Sequence, residues 1–221
     1  MATDVTTLLQ LTTEIPLNTW LSAPWEEFVK QADAPESDQL KGYYYQGRMR
    51  FEPMSTGSDH SKDHTTIILS VGLFATLQGI PINGHDNCSY RRSGVSEFQP
   101  DASYYIGENA DAIPWGTRVI DVEVYPLPSL AIEISDTSLG DDLGAKRLQY
   151  EELGIPEYWI VNVQEQEIIA FAIAPDHSSR RIRESQVLPG LRLEILEQAL
   201  ARSRQENQSA TTAWLMEQFR A

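Results

Sequence analysis

Apolar positions along this chain fall into short alternating or continuous runs, cut by turns marked with proline and glycine, with fewer helix-period stretches between. The run 130–135 is the sharpest. Leu130, Ile132 and Ile134 share one face of an extended segment, and Ala131, Glu133 and Ser135 share the other. An anion inside such a strand is costly to bury unless a cation or hydrogen-bond donors meet it. Other strands are expected around Gln46-Gly47 (a hairpin spanning Tyr43 to Met54), at 87–97, from Phe98 to Ile106, at Val119–Tyr125, and at Glu157–Val163 with Ile168–Ala172 as its hairpin partner. A last hairpin is expected from Ile182–Val187 and Leu191–Ile195 around Pro189-Gly190.

Three stretches carry helix period. In 61–79, Ile67, Ile68, Val71, Phe74 and Leu77 make a stripe, and Gly79 closes it. Near the N-terminus, 19–30 predicts a short amphipathic helix with Ser22 as N-cap. After Glu133, Ser138 and Asp141 have capping-box spacing, so a helix is expected from Ser138 through Lys146 and Tyr150 to Leu153, with Gly154 and Pro156 as its stop. Residues 196–221 read as a helical tail. The organisation expected is an N-terminal arm (1–40), an α/β domain (41–200) with a mixed central sheet flanked by helices, and the tail (201–221) packed on it.

Composition narrows the classes. Hydrophobic content of 41% and charged content of 22% suit a globular protein. A single cysteine, Cys88, excludes a disulfide framework and a cysteine-based zinc cluster. No basic, apolar leader opens the chain and no stretch is apolar enough to span a bilayer, so a cytoplasmic protein without a membrane partner is expected. A net charge of −15 argues against a constitutive nonspecific grip on nucleic acid, but a carboxylate-rich site screened by metal ions escapes that objection.

The chemistry centres on Asp101 and Glu133. Two carboxylates brought together on neighbouring strands repel unless a proton or a divalent cation sits between them, and Mg²⁺ suits oxygen ligands. Lys146, in the helix after Glu133, is placed to reach back over the same sheet end. A second reading gives Glu133 a structural ion pair with Arg91 or Arg92. Asp101 then starts a strand, Lys146 is a solvated lysine, and Asp141 and Asp142 are helix N-terminal charges.

Pro100-Asp101, the segment Ala131-Ile132-Glu133-Ile134-Ser135, Lys146 with Tyr150, and then Gly154-Ile155-Pro156-Glu157-Tyr158-Trp159 occur in order. In this ordered set the chain resembles the Uma-two family of restriction endonucleases within the PD-(D/E)XK nuclease superfamily, over roughly residues 43–200. The resemblance implies a restriction endonuclease-like α/β fold and hydrolysis of DNA phosphodiester bonds with Mg²⁺, Mn²⁺ being a substitute. It implies that Asp101 and Glu133 are metal ligands and that Lys146 supplies the ammonium, since Ser135 stands where the superfamily motif has its lysine. Ser135 would shape the site. Glu52 is a further carboxylate candidate, and His60 and Tyr150 candidates for a supporting shell. A homodimer would suit two-strand cleavage, and Arg48, Arg50, Arg91, Arg92 and Arg118 are available for a basic rim. Two other readings stand beside this one: an inactive nuclease fold used for binding or assembly, and hydrolysis of another phosphate ester.

Overall fold

The structure, a computed structural model, describes residues 16–54 and 56–220. Residues 1–15 of the expected arm, with the reading that no leader opens the chain, lie outside the described residues. In chain order the elements are β1 (Leu21–Ser22), α1 (Trp25–Ala32), β2 (Leu40–Tyr45), β3 (Arg48–Pro53), α2 (Ser58–Gln78), β4 (Ile82–Asp86), β5 (Tyr90–Arg92), β6 (Ser96–Phe98), β7 (Ala102–Ile106), β8 (Ile120–Asp121) and β9 (Leu130–Ser135). There follow α3 (Leu139–Asp141), a π-helical turn (Asp142–Lys146), α4 (Arg147–Leu153), β10 (Glu157–Asn162), β11 (Glu167–Ile173), β12 (Ser179–Ile182), α5 (Leu193–Ser203) and α6 (Gln208–Gln218). They form a mixed α/β fold with two six-stranded mixed sheets, ordered β1-β3-β2-β6-β5-β8 and β12-β11-β10-β9-β7-β4. The chain divides into two compact units, one assembled from 1–56, 89–99 and 117–124, the other from 57–88, 100–116 and 125–221.

The first unit holds the first sheet and α1. Its hairpin β2–β3 turns at Gln46 and Gly47, both with positive φ (48° and 72°). Two successive left-handed residues are what a two-residue turn needs to match strand twist, and glycine takes that conformation without cost. Phe28 of α1 packs with Tyr44, Met49 and Phe51 in a small core. The sequence expects Ser22 to cap this helix. Ser22 instead pairs with Arg48 in a short β-bridge, and Pro24 takes the cap position, its fixed φ and missing N–H suiting the helix start.

The second unit holds the other sheet and the remaining helices. One face of β9–β11 (Leu130, Ile132, Ile134, Trp159, Val161, Ile168, Ala170) packs with Ile67, Val71 and Phe74 of α2, Leu196 and Leu200 of α5, and Leu215 of α6. Each such side chain contributes about 1.5–3 kcal/mol of burial, so this layer dominates the unit's stability. Strands β9 and β10 run parallel, and β7 lies antiparallel on the other side of β9. That leaves Ala131, Glu133 and Ser135 facing away from the apolar layer, toward the π-turn and α4.

Three expected elements come out differently. The run 98–106 is two strands in two sheets. Pro100, without an N–H for the ladder, separates β6 from β7. Leu191–Ile195 is not a strand: α5 begins at Leu193, and only the Glu184–Arg192 bridge survives of the expected hairpin. Apolar Leu191, Leu193, Ile195 and Leu196 fit an alternating pattern until helical spacing is continued to Ala199 and Leu200. In 119–125 the pairing is limited to Ile120–Asp121 against β5.

Candidate active site

Asp101 sits one residue before β7, where the β7–β9 register (Ala102 opposite Ile132) continues to place it across from Glu133. Its Oδ2 accepts the Ile134 N–H at 2.7 Å, and His60 Nε2 of α2 lies 3.5 Å from the same oxygen. This carboxylate extends the ladder where the strand pairing stops. Glu133 is 2% exposed. Its Oε1 accepts the Tyr150 hydroxyl at 2.7 Å, and its Oε2 lies 3.5 Å from Lys146 Nζ. The cation that answers Glu133 is therefore the lysine of the following helix. The alternative arginine, Arg91, is paired with Asp33 and Glu97 in the first unit.

Lys146 is 1% exposed and has a second anionic neighbour, Asp142, whose Oδ1 is 3.1 Å away. Asp142 Oδ1 receives no aligned hydrogen bond, so the contact is an ion pair rather than a directed bond. Asp142 Oδ2 accepts the Ser138 hydroxyl at 2.6 Å. The expected capping box is thus absent. Ser138 makes no cap to the helix backbone and spends its hydroxyl on the Asp142 side chain. Ser135, 1% exposed, lies 3.4 Å from Ser138 through the two hydroxyl oxygens. Tyr158 of β10 donates to the Asp142 carbonyl at 3.1 Å and packs its ring 4.6 Å from that of Tyr150. Burial first, then the Asp142 and Glu133 charges, pushes the Tyr158 hydroxyl well above its ordinary pKa, with Lys146 acting in the opposite sense.

Within the second unit the side chains form two groups, Asp101 with His60, and Glu133 with Tyr150, Lys146, Asp142, Ser138 and Ser135, and the β7–β9 register sets Asp101 across from Glu133. The sequence reading assigned Asp142 to the helix dipole and so missed it. The signal was its spacing of four from Lys146, which puts an acid and a base on one side of a helix. Glu52 lies on β3 in the first unit, where Arg50 Nε meets its Oε1 at 2.6 Å. Of the arginines considered for a basic rim, Arg50 and Arg91 are thus engaged by carboxylates, and Arg48 lies over the Trp20 ring.

Among the described residues no group of three or more His, Cys, Asp or Glu side chains is set to hold a metal ion. A Mg²⁺ ion asks for less, because it keeps several waters and needs one or two carboxylates. Asp101 and Glu133 offer oxygen donors of the kind such an ion takes, and Asp142 Oδ1, which receives no hydrogen bond, adds an anionic acceptor beside Lys146.

The family model described as "Uma2: Putative restriction endonuclease" matches residues 25–208. The chain belongs to this family. Its fold is also that of a solved protein from Anabaena variabilis, titled a putative nuclease belonging to DUF820. The TM-score is 0.56 and the identity 18%, over 80% of this chain and 98% of that one. Among curated proteins, none matches the chain. No helix among the described residues is long and apolar enough to cross a membrane.

Proposed function

We propose that this member of the family is a Mg²⁺-dependent endonuclease hydrolysing DNA phosphodiester bonds, with Mn²⁺ as a substitute ion. The observation that carries the reading is a strand register that sets Asp101 across from Glu133, with Lys146 Nζ 3.5 Å from Glu133. Asp101 and Glu133 would hold the cation. Such an ion, when bound, lowers the pKa of a water and offsets charge on a phosphate oxygen. Lys146 then adds a fixed positive charge beside the developing phosphorane, where a water-poor site strengthens it. Tyr150 orients the Glu133 carboxylate, His60 borders Asp101, and Ser135 fills the position beside Ser138. The proposal includes a cytoplasmic homodimer, with the nuclease domain at 41–200, the arm at 1–40 and the tail at 201–221.

A second reading, a nuclease fold without turnover that serves binding or assembly, is favoured by one observation: Asp101, Glu133 and Lys146 are each at most 4% exposed. Plasmid cleavage with Mg²⁺ or Mn²⁺ decides between the two. Wild type is expected to nick or linearise DNA, and Asp101→Ala, Glu133→Ala and Lys146→Ala to lose that activity. Absence of cutting under either ion, or equal cutting by the variants, sinks the nuclease reading.

A further inference from the structure

Lys146 stands closer to Asp142 than to Glu133, at 3.1 against 3.5 Å. We infer that Asp142 is a positioning residue that draws the Lys146 ammonium toward itself and so leaves Glu133 able to take a divalent cation. The inference rests on the reading of Asp101 and Glu133 as a cation-binding pair.

Two features of the fold support it. The first is the π-turn. In an α-helix a step of four residues overshoots a full turn by about 40°, so residues 142, 146 and 150 would drift steadily around the cylinder. A π-turn holds more residues per turn and undershoots on the same step. One π step from 142 to 146 followed by one α step from 146 to 150 cancels the drift. Asp142, Lys146 and Tyr150 are accordingly all buried, at 0%, 1% and 0% exposure. The second feature is the number of groups that fix Asp142. Ser138 donates to its Oδ2 and Tyr158 to its carbonyl, so this carboxylate is held in place while presenting Oδ1 to the lysine.

The electrostatic consequence is direct. Glu133 and Lys146 alone would be a closed neutral pair, and a divalent cation would have to break it. With Asp142 present, two carboxylates (Glu133 and Asp142) share one ammonium, a formal charge of −2 + 1 = −1. A net negative charge beside Glu133 favours a cation there, where a closed pair would not. Asp142 thus acts on the cation through Lys146 and need not touch it.

The test is calorimetric titration of Mg²⁺ into the full-length wild type, Asp142→Asn, Lys146→Met and the double variant, with circular dichroism melts to establish folding. Asp142→Asn lets Lys146 close on Glu133 and should weaken Mg²⁺ binding by about tenfold, the order expected for one close charge in a partly buried site. Lys146→Met should tighten it. The double variant, which removes both partners of the Asp142–Lys146 ion pair and leaves Glu133 to Tyr150 and the added Mg²⁺, should fold when the ion is present and return to within about threefold of wild type. A residue of merely structural importance would show no such rescue. Wild-type affinity in Asp142→Asn, or a double variant no better than Asp142→Asn, overturns the inference alone. Failure of wild type to bind Mg²⁺ overturns the cation-binding reading and the inference with it.

Discussion

Glu133 and Glu157 lie on adjacent parallel strands of one sheet, both essentially unexposed, and they are held in opposite ways. Glu157 is met by neutral donors. Trp159 Nε1 donates to Oε1 at 2.6 Å, and the Gln186 and Val187 N–H groups donate to Oε2 at 2.8 and 3.2 Å, with the Ser185 hydroxyl adding to them. Its job is to fasten the 185–191 loop to the sheet. Burial still raises its pKa above the ordinary 4.5, since those hydrogen bonds offset only part of the lost hydration. Glu133 is met by the Tyr150 hydroxyl and by a cation that is shared with a second acid. A buried carboxylate whose lone pairs are met by the fold's own amides is a fastener. One that depends on a shared, replaceable cation is a candidate for chemistry.

The largest effect that separates the two corners is on activity. Glu133→Ala is expected to lower plasmid cleavage by at least about 10³-fold, equivalent to roughly 4 kcal/mol in transition-state stabilisation. Glu157→Gln should leave cleavage per folded molecule within about threefold, a difference of well under 1 kcal/mol. Equal losses in the two variants would erase the distinction.

Asp63 sharpens the comparison because it too is buried and cation-paired, yet it has the marks of a fastener. Arg204 Nη2 reaches its Oδ2 at 2.6 Å and the Val163 carbonyl at 3.1 Å, tying the end of α5 to α2 and to the end of β10. Breaking such a pair from one side leaves a buried charge, so Arg204→Ala should cost about 3 kcal/mol in chemical denaturation at neutral pH. Burial already raises the Asp63 pKa above 3.8, and Arg204 works to lower it. In the variant the pKa climbs further. The folded state then favours protonated Asp63, so the deficit should be smallest below pH 3.8 and grow as pH rises through the raised folded value. A pH-independent deficit would mean that Arg204 stabilises by packing alone.

How much of this was legible beforehand follows the physics of each signal. The β2–β3 and β10–β11 hairpins, α2 with its Gly79 stop and the strand carrying Glu133 are written in local periodicity and turn chemistry, and the structure has them. β4, Ile-Asn-Gly-His-Asp, carries no apolar alternation because it is an edge strand whose pairing comes entirely from the backbone of β7. The π-turn was illegible for a similar reason. It answers to what Asp142 and Lys146 meet on the sheet, and nothing in Asp-Leu-Gly-Ala-Lys as a local string calls for it. Asp101 and Glu133 were visible as acids in apolar surroundings. Which cation answers Glu133 was open from the residues alone, since a lysine on a later helix and an arginine on another strand are equivalent until the topology chooses, and only the family resemblance pointed to Lys146, which lies 3.5 Å from Glu133.

The Glu157 corner can be probed through its own acid. Glu157→Gln keeps one acceptor oxygen and must turn its amide N–H₂ toward either the Trp159 indole or the two backbone N–H groups, losing about 2 kcal/mol. In wild type the raised pKa makes the Glu157 contribution largest below 4.5 and diminishing as pH rises through the folded value. The variant has no such titration. The stability gap between the two, measured by urea unfolding, should therefore narrow from pH 4.5 to pH 7. A gap that widens over that interval would show that the ionised form is the one the loop amides favour.

The finest contrast uses two serines with matched roles. Ser138 donates to Asp142 at 2.6 Å, and Ser185 donates to Glu157 while accepting the Leu188 N–H at 3.0 Å. Each hydroxyl serves one buried carboxylate, so Ser138→Ala and Ser185→Ala should each cost about 1 kcal/mol of stability, the ordinary worth of such a bond. Their effects on cleavage should part. Ser185 steadies only a loop, and its loss should leave cleavage within about twofold, under 0.5 kcal/mol. Ser138 steadies the acid that shares Lys146. Its loss lets Asp142 swing and should slow cleavage about fivefold, close to 1 kcal/mol, with a matching weakening for Mg²⁺. If Ser138→Ala destabilises as expected but cuts as fast as Ser185→Ala, the position of Asp142 is not what sets Lys146, and the two corners differ only in which donors they happen to contain.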